Sequence, residues 1–232
     1  TLVAVIAVAF FLELVLAQPD LGSVAQGFIP TIPDETALYI AIGIIGATVM
    51  PHNLYLHSSL VQSRKIDKST KGIKSALHYN FIDSGIALNI AFFVNAAILI
   101  LAGATFHKAG LYEISEIQDA HQLLSSLLGV KWAPIIFAIA LIAAGQSSTV
   151  TGTLAGQIVM EGYLNIHIKP WIRRLITRVI AIVPAVIAIT ILGEKVSGKM
   201  LIMSQVILSL QLGFAVIPMI HFVSDRKEMG IW

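Results

Sequence analysis

The 232 residues are 56% hydrophobic and only 12% charged, with a mean hydropathy of +0.84, which excludes an ordinary water-soluble domain and puts the chain in a membrane. A net charge of +2 is too small to argue for nucleic acid, and the absence of cysteine removes both a disulfide framework and thiolate metal sites. Thr1 stands directly inside an apolar run, with no initiator Met or charged leader, so the sequence reads as a piece of a longer protein and not as a signal peptide.

Six apolar segments of spanning length, or close to it, predict an all-α membrane protein made of a single transmembrane unit. The first covers 1–17 and is interrupted by Glu13; the second covers 38–62. That second segment contains Gly46-Ala47-Thr48-Val49-Met50-Pro51-His52-Asn53. Proline removes a backbone donor and pushes the preceding residue out of the α region, so the helix is expected to break near 47–51. Broken backbone survives at membrane depth only where it is buried in protein or lines a polar cavity. Each of Met, Pro and His has a bland explanation, as gap filler, kink and satisfied interior imidazole. Together at one break they point to a site, and the thioether favours soft or borderline metals over Ca²⁺ and Mg²⁺.

On this helix Met50, Asn53 or Leu54, and His57 form one row, while His52 faces elsewhere. The two histidines therefore cannot chelate one ion from a regular helix. They suit a proton route inward, since imidazole titrates near neutral pH. His78, His107, His121, His167 and His221 lie near loops or span ends and receive no role.

The third segment, 80–103, holds Asn89 and Asn95, with Asp83 near its inner end; each amide is open between helix packing and cation binding. Asp83 and Glu13 are weak candidates that could snorkel to the interface or carry protons. The fourth segment, 134–160, carries Gly152 and Gly156 four apart, a small-residue face expected to pack against the broken helix or the third segment. The fifth covers 175–192. The sixth, 200–223, holds Gln205 and Gln211, again open between packing and function. Basic residues divide eleven against four between alternate sides, and the Arg64 loop is on the richer side. That loop is expected in the cytoplasm, so the broken helix runs inward.

The nineteen residues from Gly46 to Arg64 resemble the signature helix of the Nramp family of proton-coupled divalent metal transporters, most closely its bacterial manganese transporters. Gln18-Pro19-Asp20, Gly145-Gln146-Ser147-Ser148-Thr149 and Ser204-Gln205-Val206 are also similar to the family, so the likeness spans the chain as helices five to ten. It implies the second half of an inverted-repeat transporter fold with a broken central helix, in a bacterial cytoplasmic membrane. The substrates implied are Mn²⁺ or Fe²⁺ with H⁺ as coupling ion, without a cofactor and without enzymatic activity.

The resemblance also implies residue roles. The Ala47 carbonyl and the Met50 sulfur bind the metal, Gln205 approaches it in inward-closed states, and Asn95 lies close by. His52 and His57 serve proton movement or gating. The family's Asp-Pro-Gly-Asn motif has no counterpart in these residues. The first four helices are therefore expected to be missing partners, without which these residues neither transport nor bind metal tightly. Two rivals share the fold: a sodium-coupled amino-acid transporter, which has no need of Met50, and a non-transporting Nramp-like sensor or receptor, which would lose the ligands or add a cytoplasmic domain.

Overall fold

The computed structural model describes residues 2–112, 116–164, 169–193 and 197–230; Thr1, His167 and Lys195 lie outside them. The described residues are helical apart from short connections, and five stretches are long and apolar enough to cross a membrane: Glu35–Gln62, Thr70–His107, Ala133–Gly162, Arg174–Ile191 and Ser197–Ser224. Leu2–Ala17 is as apolar but shorter. This is an all-α, multi-pass membrane fold, with large apolar side chains facing outward along the spans as lipid requires.

Two compact units interleave in the sequence. The first comprises Thr1–Pro30 and Ser63–Val150, the second Thr31–Gln62 and Thr151–Trp232. In the first, α1 (Leu2–Ala17) ends where Gln18 takes a left-handed φ of 43° ahead of Pro19. A short α2 (Leu21–Gly27) follows, its first turn capped by Asp20, which accepts from the Ser23 amide at 2.8 Å. The Ser23 hydroxyl and backbone hydrogen bonds hold the Asp20 carboxyl below the usual carboxylate range.

Beyond the broken helix, α5 (Thr70–Ala102) starts with the Ser69 hydroxyl accepting from the Gly72 amide at 3.1 Å. Asp67 in turn accepts from the Ser69 hydroxyl at 2.6 Å and from its amide at 3.0 Å, which keeps the Asp67 carboxyl low. The far end of α5 widens into a π turn over Gly103–His107, with Thr105 buried and donating to the Leu101 carbonyl at 2.6 Å. An amphipathic helix, α6 (Ile117–Leu128), then buries Leu124 completely before the first half of α7 (Ala133–Leu164).

Hydrocarbon surrounds these helices, so there is no water-driven force to bring them together, and close fit must do so. Small residues supply it. Ala9 and Phe10 of α1 meet Leu101 of α5 and Ala140 of α7, and Phe10 sits edge-on to Phe137 with ring centroids 6.4 Å apart.

The second unit holds α3 (Glu35–Thr48), α4 (Pro51–Gln62), the end of α7, α8 (Pro170–Leu192), α9 (Ser197–Ser224) and the short α10 (Arg226–Met229). Gly156 of α7 lies against α8 so closely that a Cβ would stand 2.5 Å from Thr177 Cγ2, whereas Gly152 has open space. At Gly156 the close partner is thus α8, while Ile136, Phe137 and Ala140 nearer the start of α7 share a core cluster with α5, the third segment. The Thr177 hydroxyl donates to the Met160 sulfur at 3.2 Å across the same seam. Pro184 and Pro218 lie inside α8 and α9.

Candidate functional site: the break between α3 and α4

The chain runs helically from Glu35 through Thr48, leaves the helix at Val49 and Met50, and resumes at Pro51. Val49 still donates to the Ile45 carbonyl at 2.9 Å, and the Thr48 hydroxyl donates back to Ile44 at 2.8 Å, so α3 is closed to its last turn. In an unbroken helix the Ala47 carbonyl would accept from the amide four residues on. That residue is Pro51, which has no N–H. Ala47 therefore presents an acceptor that its own helix cannot use. On the other side of the break the Met50 carbonyl accepts from Asn53 at 3.0 Å, starting α4.

Packing fixes what faces this break. The closest approach of α3 to α9 is at Gly46, where a Cβ would overlap the Gln205 carbonyl oxygen and stand 2.9 Å from the Ser209 amide nitrogen. One turn earlier Gly43 is buried with only ordinary contact, 3.4 Å from Ile202 Cγ2. The two backbones touch at Gln205 opposite Gly46, the residue that precedes Ala47.

The Gln205 side chain is half-buried. Its Nε2 donates weakly to the Ser204 hydroxyl at 3.4 Å, while its Oε1 is buried and accepts nothing among the described residues. A buried carbonyl-type oxygen without a donor costs about 1–3 kcal/mol. A cation is the kind of partner that would satisfy it.

Met50 is half-buried, Ala47 is exposed, and Pro51 and Leu56 are the buried residues of α4. His52 is half-buried in the first turn of α4 and His57 is exposed further along it. Asn95 belongs to the first unit, exposed on α5. Among the described residues no three His, Asp or Glu side chains converge into a metal-holding group. The second unit carries a freed carbonyl at Ala47, a thioether at Met50 and an amide oxygen at Gln205 without a partner among the described residues, donor types that suit a borderline cation.

Asp83 and Glu13 differ sharply. The Asp83 carboxylate accepts from Arg64 at 3.1 Å in an ion pair whose side chains are 53% and 64% exposed. Such a pair contributes under about 1 kcal/mol. Asp83→Asn is accordingly expected to leave the melting temperature of the purified protein within about 2–4 °C of wild type. Glu13, by contrast, is fully buried in α1, and neither of its oxygens has a partner among the described residues.

Hydropathy alone marks neither α2 nor α6, because both are short and carry polar residues. The apolar spacing of Ile117, Ala120, Leu124 and Leu127 was the available signal for α6.

Comparison with known proteins gives a consistent answer. The family described as natural resistance-associated macrophage protein-like, Nramp, matches over residues 1–232. A protein named divalent metal cation transporter MntH from Listeria welshimeri is 54% identical over 233 residues, covering 99% of this chain and 52% of that protein. Its namesake from Bradyrhizobium diazoefficiens is 54% identical over 232 residues with the same coverage. The crystal structure of the Eremococcus coleocola manganese transporter, in complex with an aromatic bis-isothiourea substituted compound, superposes with a TM-score of 0.83 at 36% identity, over 99% of this chain and 52% of that one. The chain thus spans about half the length of the relatives it matches. With a match along its whole length, an all-helical membrane fold and relatives named as transporters rather than enzymes, the chain belongs to the Nramp family.

Proposed function

We propose that the protein carrying this chain is a secondary transporter that takes divalent transition metal ions, Mn²⁺ and Fe²⁺, into the cytoplasm together with protons. The observation that carries this reading is the Gln205 oxygen, buried without a partner among the described residues, on the α9 backbone that touches Gly46, one residue from the freed Ala47 carbonyl. Met50, half-buried in the break itself, adds the sulfur that favours a borderline metal over Ca²⁺ and Mg²⁺. Asn95 is proposed as a further donor on the family resemblance alone.

None of these donors carries a charge, so in the whole transporter the carboxylate that neutralises the ion comes from the family's Asp-Pro-Gly-Asn motif, which these residues lack. His52 and His57 move protons or gate along α4, whose inward direction follows from the basic Arg64 loop. Access alternates as one bundle rocks about the central site. The names of the Listeria and Bradyrhizobium relatives and the manganese transporter fold support a divalent metal substrate.

The test is Mn²⁺ uptake into proteoliposomes by the complete transporter, wild type beside Met50→Ala, each with excess Ca²⁺. Wild type is expected to resist Ca²⁺ and the variant to lose that resistance by roughly tenfold, the equivalent of about 1.4 kcal/mol. Equal competition in both proteins would show Met50 to be a packing residue.

A further inference from the structure

Glu13 is the one charged residue of α1, and it lies on the face that makes the core. Residues 6, 9, 10, 13 and 17 recur at helical spacing, and Ala9 and Phe10 form one core cluster with Leu101 of α5 and Ala140 of α7, against which Ile6, Ala17, Val94, Ala97, Ile136 and Phe137 pack. Glu13 is 0% exposed on this same face, and both oxygens are buried without a hydrogen-bond partner among the described residues.

The surrounding elements offer no counter-charge. Between Asp83 and His107 α5 holds no charged side chain, and α7 holds none from Ala133 to Met160. At the ends of these elements stand Asp83, paired with Arg64, and His107, whose ring faces Tyr112 at 4.9 Å. Lys108 and Lys131 flank the π turn and the start of α7. On α6, Asp119 and His121 are titratable, and the His121 ring lies 6.5 Å from Phe137.

A lone carboxylate sealed in an apolar seam, with no partner among the described residues, is far costlier than the neutral acid. Ionisation therefore requires that the seam open to solvent. We propose that Glu13 is an internal proton-binding site that holds α1 against α5 and α7 while its carboxyl is protonated and releases that seam when the proton leaves. Proton binding and helix packing are then one equilibrium, carried within the first unit, whereas the α4 histidines belong to the second.

Two readouts on the whole transporter in lipid test this without metal. The first is the infrared carbonyl band of a protonated carboxyl, wild type minus Glu13→Gln; the second is amide hydrogen exchange of α1 across a pH series. The expected result is a band present in wild type and lost in the variant, with α1 exchange rising with pH in wild type and flat in Glu13→Gln. An unchanged band on substitution would mean that Glu13 is ionised and paired by another element, and would overturn the proposal. So would exchange with the same pH dependence in both proteins. Should Glu13→Gln fail to insert, the wild-type band followed against pH decides: its loss in step with faster α1 exchange supports the site, and faster exchange with the band intact refutes it.

Discussion

Gly46→Ala is expected to abolish metal uptake and to lower stability by about 3 kcal/mol or more, while Gly43→Ala, one turn away on the same helix, changes either by little. Both glycines are buried against α9, so burial does not separate them. The difference is what the added methyl meets. At Gly43 it finds the end of an Ile202 side chain at 3.4 Å, which can shift by a few tenths of an ångström. At Gly46 it would occupy the place of the Gln205 backbone carbonyl, with the Ser209 amide 2.9 Å away. Backbone inside a helix cannot rotate aside, so α3 and α9 have to separate, and overpacking that moves two helices reaches or exceeds the usual 1–3 kcal/mol. The separation also carries the Gln205 oxygen away from the break. Thermal melting of the two variants beside wild type, with Mn²⁺ uptake at matched protein amounts, checks this; equal melting temperatures would place the true α3–α9 contact elsewhere.

That contrast marks where the sequence is informative and where it stops. The break is readable from local chemistry, because one residue type at position 51 both deletes a donor and displaces its neighbour, whatever the tertiary fold. The spans are readable because lipid imposes length and apolarity on each segment separately. Which glycine is indispensable is a different matter: Gly43, Gly46, Gly152 and Gly156 look alike in the sequence, and only the arrival of α9 at Gly46 and α8 at Gly156 tells them apart. Gln205 and Glu13 were ambiguous for the same reason. An amide in a span is either a packing group or a ligand, and a carboxyl either snorkels or is sealed in, according to neighbours distant in sequence. Tertiary packing adds what the sequence lacks, a Gln205 oxygen buried without a partner among the described residues and a Glu13 fully buried in α1.

Pro51→Ala is expected to cut Mn²⁺ uptake by tenfold or more while leaving the protein as stable as wild type or more so. Alanine restores the amide that proline lacks, and that amide stands four residues beyond Ala47, in position to close on its carbonyl. Alanine is also favoured over proline by about 3 kcal/mol within a helix. Both effects drive α3 and α4 toward one continuous helix through Val49 and Met50. The carbonyl proposed for the metal would then be occupied by the chain itself, and Met50 would take a helical direction instead of the one the break gives it. A folding defect lowers stability and uptake together, whereas healing the break moves them in opposite directions, so the pair of measurements is diagnostic. Pro184→Ala, inside α8 and remote in sequence from the break, supplies the control: it removes a proline from a spanning helix and should leave uptake near wild type. If Pro51→Ala transports as well as Pro184→Ala, the Ala47 carbonyl is not a ligand, and Met50, Gln205 and Asn95 are the proposed donors that remain.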